Sequence, residues 1–255
     1  IIDGVRLTKA ERNIYPHNDM GGLEDLLRKA PSAGRRLIIT DGVFSMDGDT
    51  APLDKICALA GEYGAMTYTD DAHGEGVLGD GRGIGVHYNV EDSVDIEMGT
   101  FSKAFGVVGG LAAGSEQLAK YAFNKSRTFL LSGSAPPATV AACTAALDVI
   151  DEEPQHVKRL WENTEYFRNG LQQLGYDTGN STTPIIPAMC GSAKRAQTLS
   201  AELLKRDVFA LPIVFPMVAR DKARIRVMMS AGLEKKDLDI ALNAFEKGGK
   251  SAGIL

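Results

Sequence analysis

A lysine in a glycine-rich loop is the first feature of the sequence that could do covalent chemistry. Lys103 lies in residues 98–106 (MGTFSKAFG), which follow an apolar run and carry hydroxyls at Thr100 and Ser102. A lysine amine can form an imine with an aldehyde, and neighbouring hydroxyls can donate hydrogen bonds to a phosphate. A Ser-Lys pair is also common in surface turns, so this loop alone leaves both interpretations open.

A second polar cluster, Asp70-Asp71-Ala72-His73, directly follows a predicted strand. An aspartate there could hold the positive charge of a protonated ring nitrogen, and a histidine three residues later could contact the same ring. Pyridoxal 5'-phosphate (PLP) needs a lysine, a carboxylate and phosphate-binding groups of this kind. A metal-binding pair and a plain turn are the alternatives. Because no further ligands occur at suitable spacing, we expect no metal.

A third polar loop, residues 41–49 (DGVFSMDGD), again follows a predicted strand and contains Ser45. Its acidic residues do not form a calcium site of the EF-hand type, because the spacing and the terminal glutamate are missing. In an open α/β sheet, ligands gather at the carboxyl ends of the strands. We therefore expect the three polar loops to meet at one edge of a sheet.

Short apolar runs alternate with helix-period segments, which predicts βαβ units and a mostly parallel sheet in an α/β fold. The predicted strands are residues 36–40, 65–69, 94–99, 184–189, 209–215 and 224–229. The predicted helices are residues 21–30, 52–63, 138–151, 154–174, 192–206 and 235–247. A change of pattern predicts a large domain, residues 1–150, and a small C-terminal α/β domain, residues 151–255.

The composition argues against several classes of protein. The chain has 255 residues, of which 44% are hydrophobic and 24% charged, with a net charge of -5. This net charge gives no indication of a basic surface that would bind nucleic acid. No apolar run approaches the about 18 residues of a membrane span. Three widely spaced cysteines indicate neither a disulfide framework nor a zinc site. We expect a cytoplasmic protein.

Six motifs, taken in order, resemble those of a known family. They are YPHND, DGVFSMDGD, DDAHGEGVLG, GTFSKAFG, SGSAPPA and KARIRVMMSA. Together they resemble the α-oxoamine synthases, PLP enzymes of fold type I with an aspartate aminotransferase-like architecture. These enzymes condense an amino acid with an acyl-CoA thioester. The likeness is greatest to glycine C-acetyltransferase, which implies glycine and acetyl-CoA as substrates.

The resemblance implies roles for the residues of the polar loops. Lys103 matches the lysine that holds the cofactor as a Schiff base, and Asp70 matches the partner of the pyridine nitrogen. His73 matches a histidine near the phenolic oxygen of the ring. Arg224 matches the arginine that pairs with the substrate carboxylate, whereas Arg226 is interpreted as structural.

Five hydroxyls complete the implied cofactor site. Ser45 matches a hydroxyl near the phenolic oxygen, and Thr100 matches a phosphate contact, with Ser102 beside it. Ser132 and Ser134 match hydroxyls that reach the phosphate of the neighbouring subunit, which implies a homodimer with shared active sites.

The resemblance also implies how the reaction proceeds. Lys103, once displaced from the cofactor by the amino acid, is expected to remove an α-proton as general base. The resulting carbanion attacks the thioester and releases CoA. His17 matches a histidine close to the active site, and either His73 or His17 is expected to act as the acid.

Family members are longer at the N-terminus, where they carry a Gly/Ser-rich phosphate-binding turn and a histidine that stacks on the cofactor ring. We therefore expect the N-terminal part of the family fold to be absent from this chain. Two other activities of the family stay open: 8-amino-7-oxononanoate synthase, which uses alanine and pimeloyl-CoA, and serine palmitoyltransferase. A catalytically silent subunit is the alternative of another class.

Overall fold

The computed structural model describes residues 1–31 and 34–255. The helices are α1 (Ile2–Arg6), α2 (Met20–Lys29), α3 (Leu53–Tyr63), α4 (Ile84–His87), α5 (Glu116–Lys125), α6 (Arg127–Leu130), α7 (Pro137–Glu152), α8 (Gln155–Leu174), α9 (Ala193–Leu204) and α10 (Lys235–Ala252). The strands are β1 (Arg36–Asp41), β2 (Ala65–Asp70), β3 (Ile96–Thr100), β4 (Gly110–Gly114), β5 (Ile185–Gly191), β6 (Pro212–Ile213) and β7 (Ala223–Met228). No helix in the described ranges is long and apolar enough to cross a membrane.

The first sheet has the strand order β1-β2-β3-β4. Strands β1, β2 and β3 are parallel, and β4 is antiparallel to β3. In this register Asp41 pairs with Asp70, and Asp70 pairs with Met98. The carboxyl ends of the three parallel strands therefore lie at one edge, as the mostly parallel sheet predicted from the sequence requires.

Helix α3 shows how the sequence builds the layer against this sheet. Leu53, Ile56 and Ala60 are buried on one face of the helix, and Ile56 and Ala60 share a core cluster with Ile38 of β1. The helix ends at Gly64, whose φ of 61° lies in the left-handed region where glycine is unstrained. The chain then enters β2 directly.

The second sheet has the order β5-β7-β6, with antiparallel pairing throughout. Helices α8, α9 and α10 pack against it around Phe167, Leu199 and Phe245, which are at most 2% exposed. The Tyr176 hydroxyl donates a hydrogen bond to the Phe245 carbonyl at 2.8 Å inside this core. Burial on this scale makes the cluster a complete hydrophobic core.

Several hydrogen bonds join the regions of the two sheets, among them those of the Trp161 and Thr183 side chains. The Trp161 indole of α8 donates to the Val77 carbonyl at 3.0 Å. The Thr183 hydroxyl donates to the Gly48 carbonyl at 2.8 Å, just before β5. The domain boundary predicted near residue 151 falls in the last turn of α7, a few residues before α8 begins. The division into two domains stays a prediction.

Strand β4 is an element that the sequence patterns did not predict. Its sequence, GLAAG, is short and rich in glycine, and all five residues are exposed. It forms because each residue from Gly110 to Gly114 pairs with β3 in antiparallel register. Pairing with an existing strand thus overrides a weak strand propensity.

Candidate functional site

A groove of about 910 Å³ lies at the carboxyl edge of the first sheet. The loop after β2 contributes His73 and Glu75 to its wall, and the loop after β3 contributes Lys103. Apolar side chains such as Ile150 of α7 and Met228 of β7 line other parts. The groove thus brings together polar residues from two neighbouring strand ends.

The loop that presents Lys103 is fixed by bonds near its base. The Phe101 amide donates to the Gly109 carbonyl at 2.9 Å, and the Thr100 hydroxyl lies 3.2 Å from the same carbonyl. The hydroxyls of Thr100 and Ser102 are 2.9 Å apart. Lys103 itself is exposed beside the groove. An ordered turn thus carries an amine and two hydroxyls on one short segment.

Asp70 and His73 lie at the end of β2 as predicted. One carboxylate oxygen of Asp70 accepts a hydrogen bond from the Ala72 amide at 3.0 Å, which holds the turn between the two residues. Burial, together with the positive charges of Lys103 and Arg226, lowers the pKa of His73 to about 4 against the opposing effect of Asp70. His73 is therefore a neutral imidazole at neutral pH.

Asp71, by contrast, has a structural role in the interior of the protein. It is fully buried and accepts a hydrogen bond from the Ile84 amide at 2.8 Å. Its carboxylate packs so closely on Gly74 that a Cβ there would lie 2.0 Å from an oxygen. Burial raises the pKa of Asp71 to about 8. This residue shapes the loop that carries His73.

Arg224, predicted to bind a substrate carboxylate, instead makes hydrogen bonds to other groups of the protein. It is 3% exposed, and its guanidinium donates to the Met46 carbonyl at 2.8 Å and to the Asp47 carboxylate. Its Nε donates to the Lys222 carbonyl at 3.0 Å. A buried guanidinium with these partners is not free to bind a substrate, so the structure argues against the predicted role.

Arg226, interpreted from the sequence as structural, lies closer to the groove. Arg226 lies two residues from Met228, which lines the groove, whereas Arg224 lies four residues from it on the same face of β7. It is partly exposed and donates to the Ser45 carbonyl at 3.0 Å. Its charge also lowers the pKa of His73. Of the two arginines, Arg226 has the better position for a substrate carboxylate.

His17 lies in a separate polar cluster beside the loop after β1. Its Nε2 is 2.7 Å from a carboxylate oxygen of Asp49, and its ring packs edge-on against Phe44 at a centroid distance of 4.3 Å. Asn18 donates to the same Asp49 oxygen at 3.1 Å. These contacts give His17 a partner outside the groove wall, so its role as the acid stays a prediction.

Ser132 and Ser134 lie between α6 and α7, in a segment that is exposed throughout. The Ser132 hydroxyl makes a weak contact with the Phe129 carbonyl of its own turn at 3.4 Å. Their exposure is compatible with hydroxyls that serve another subunit. The shared site and the homodimer stay predictions.

The residues of the groove wall and of the two strand ends that border it have the chemistry that PLP needs. Lys103 offers an amine and Asp70 a carboxylate at a strand end, while Thr100 and Ser102 offer hydroxyls on the loop that carries the lysine. His73 adds a neutral ring. Across residues 1–31 and 34–255, by comparison, no three His, Cys, Asp or Glu side chains form a group that could hold a metal ion.

Comparison with known proteins gives consistent results. The sequence profile described as aminotransferase class I and II matches residues 1–245. A curated relative from Thermosipho melanesiensis, named 8-amino-7-oxononanoate synthase, is 52% identical over 256 residues and covers 100% of this chain. The chain spans 66% of the length of that relative.

Two solved structures share the fold over the whole chain. The serine palmitoyltransferase of Sphingomonas wittichii has a TM-score of 0.96 at 29% identity, and the alignment covers 64% of that protein. A serine palmitoyltransferase variant solved with PLP has a TM-score of 0.95 at 27% identity, with 65% of that protein covered.

Proposed function

The chain belongs to the aminotransferase class I and II family, among its α-oxoamine synthases, and we propose that it serves a PLP-dependent acyltransferase. The proposed reaction condenses alanine with pimeloyl-CoA to give 8-amino-7-oxononanoate, with loss of CoA and carbon dioxide. The observation that carries the proposal is that Lys103 and His73, from neighbouring strand ends, line the same groove.

The choice of substrates differs from the one expected from the motifs. Glycine and acetyl-CoA, the pair implied by the likeness to glycine C-acetyltransferase, receive no specific support from the relatives. A relative at 52% identity carries the name 8-amino-7-oxononanoate synthase instead. Since the α-oxoamine synthases share their core motifs, the overall identity is the better guide to the substrates.

The proposal assigns each cofactor contact to a named group. Lys103 would hold PLP through Nζ, Asp70 would hold the proton of the ring nitrogen, and Thr100 with Ser102 would bind the phosphate. An opposite charge on Asp70 favours the protonated ring nitrogen. When bound, PLP supplies the electron sink that makes the α-carbon of the amino acid acidic.

The remaining steps are carried by side chains of this chain. The free Nζ of Lys103 accepts the α-proton of the amino acid as general base. Arg226 binds the substrate carboxylate with its planar guanidinium, which suits a two-point contact. His73, whose pKa is lowered to about 4 by burial, acts as a neutral donor in the groove wall rather than as a cation.

A homodimer is part of the proposal. The exposed position of Ser132 and Ser134 supports a role for their hydroxyls toward a second subunit. Because the chain spans 66% of the curated relative, the activity and the substrates are proposed for the assembled enzyme that contains this chain.

The experiment that tests the function is a CoA-release assay with two matched substrate pairs. We expect faster release from alanine and pimeloyl-CoA than from glycine and acetyl-CoA. Lys103→Ala should remove the visible absorbance band of bound PLP and lower the rate by at least ~10²-fold, the lower end for loss of a general base.

Faster turnover of glycine and acetyl-CoA would overturn the substrate assignment but leave the cofactor chemistry intact. An unchanged absorbance band in Lys103→Ala would overturn the assignment of the lysine. Absence of PLP binding by the wild type would favour the silent subunit.

A further inference from the structure

Glu75 is a residue of the groove that the sequence motifs left without a role. It lies two positions after His73 and lines the groove together with His73 and Lys103. One of its carboxylate oxygens accepts a hydrogen bond from the Thr100 amide at 3.1 Å. This bond connects the loop after β2 to the residue at which the Lys103 loop begins.

The carboxylate of Glu75 reaches Thr100 only because of a glycine in β3. A Cβ on Gly99 would lie 1.9 Å from one carboxylate oxygen of Glu75 and 2.1 Å from the other. Gly110, paired with Thr100 across the sheet, likewise approaches the Gly99 carbonyl so closely that a Cβ would lie 2.6 Å from it. The end of β3 thus accommodates the Glu75 side chain on one side and the β4 backbone on another.

The charges around Glu75 are mostly negative. Glu97 lies on β3, and Asp70 lies at the end of β2; Lys103 is the cation that opposes them. Burial, followed by the Glu97 charge, raises the pKa of Glu75 to about 7, while the Thr100 amide bond and Lys103 act in the opposite direction. A partly buried carboxylate near other negative charges needs a compensating hydrogen bond, and the Thr100 amide provides one.

We propose that Glu75 is a positioning residue for the cofactor site, which holds the Thr100–Lys103 turn in place through the Thr100 amide. This inference rests on the proposed function, since it concerns the loop assigned to PLP. Thr100 and Ser102 are the proposed phosphate contacts, and their hydroxyls are 2.9 Å apart. A bond that fixes the Thr100 backbone therefore orients both hydroxyls and fixes the start of the loop that carries Lys103.

Two conservative variants separate the hydrogen bond from the charge. Glu75→Gln keeps the length and an oxygen that can accept the Thr100 amide but removes the charge. Glu75→Asp keeps the charge but is one methylene shorter, so it cannot reach the amide in the same backbone position. Glu97→Gln is the matched control, because it removes a neighbouring charge on β3 without removing the bond to Thr100.

The dissociation constant of PLP, followed by its absorbance in the assembled enzyme, is the first readout. We expect Glu75→Asp to raise it about tenfold or more, as for a lost hydrogen bond to a charged group. The dissociation constants of Glu75→Gln and Glu97→Gln should stay within about threefold of the wild-type value. Glu75→Gln keeps a neutral hydrogen bond to the Thr100 amide, which is weaker than the bond to a carboxylate but is not lost. Glu97→Gln leaves the bond from Thr100 to Glu75 unchanged.

Hydrogen exchange of the Thr100 amide in the protein without PLP is the second readout. It should be faster in Glu75→Asp than in the wild type and near the wild-type rate in Glu75→Gln. Equal behaviour of the two Glu75 variants, or an effect of Glu97→Gln as large as that of Glu75→Asp, would overturn the positioning role. If the wild type binds no PLP, the proposed function fails, and the exchange measurement alone decides on Glu75.

Discussion

The two sheets of this chain differ in how completely they are covered. In the second sheet, Ile186, Ala188 and Ile225 are fully buried under three helices. In the first sheet, every residue of β4 is exposed, and so are most residues of α5, α6 and α7 that follow it. The candidate site lies in the open region, where polar loops border a groove. The closed region contributes β7, whose residue Met228 lines that groove.

The largest expected effect tests this difference directly with the same substitution in both regions. Leu199 is 0% exposed in the closed core, and Leu131 is 77% exposed after α6. Leu199→Ala should lower the free energy of unfolding by about 2–5 kcal/mol, because it leaves a cavity. Leu131→Ala should change it by less than about 0.5 kcal/mol. Urea unfolding of both variants measures the contrast, and equal losses would contradict it.

The two arginines of β7 provide a second test at the boundary between the regions. Arg226→Ala should raise the KM for the amino acid about 10- to 100-fold, as expected for loss of a charge-assisted contact worth about 1.5–3 kcal/mol. Its thermal stability should stay near that of the wild type. Steady-state kinetics with varied alanine measures the KM.

Arg224→Ala should behave in the opposite way. It leaves the Met46 carbonyl and Asp47 without their partner, so the free energy of unfolding should fall by about 1–3 kcal/mol. The KM of the folded enzyme should change little. A large KM effect for Arg224 with none for Arg226 would restore the role first predicted for Arg224.

The smallest expected effect concerns one of the hydrogen bonds that join the two regions. Trp161→Phe keeps a flat apolar ring but removes the donor to the Val77 carbonyl. We expect a loss of about 0.5–1.5 kcal/mol in the free energy of unfolding. Denaturation followed by circular dichroism measures it, and a loss as large as that of Leu199→Ala would contradict the modest contribution expected of one hydrogen bond among several.

Much of the fold could be predicted from local pattern. Strands β1, β2 and β3 are short apolar segments followed by polar residues, and α3 carries a clear apolar stripe ending at Gly64. Strand β4 could not be predicted in this way, because GLAAG has neither alternation nor branched side chains. Its conformation depends on pairing with β3, which is a tertiary property.

The site shows the same limit at the level of single residues. Lys103, Asp70 and His73 occur in recognisable motifs, and the parallel register brings their loops to one edge. The two arginines are two residues apart on one strand, so periodicity gives them the same face. The two differ in their bonds to a loop far away in the sequence: Arg224 pairs with Met46 and Asp47, whereas Arg226 donates to the Ser45 carbonyl alone.

Trp161, the single tryptophan of the chain, provides a natural optical probe. Its indole N–H is bonded to the carbonyl of Val77, a residue of the groove wall. Emission from this indole therefore reports on the junction beside the groove without an attached dye. A chromophoric ligand that enters the groove can be followed through quenching of that emission, with the unlabelled protein as the sensor.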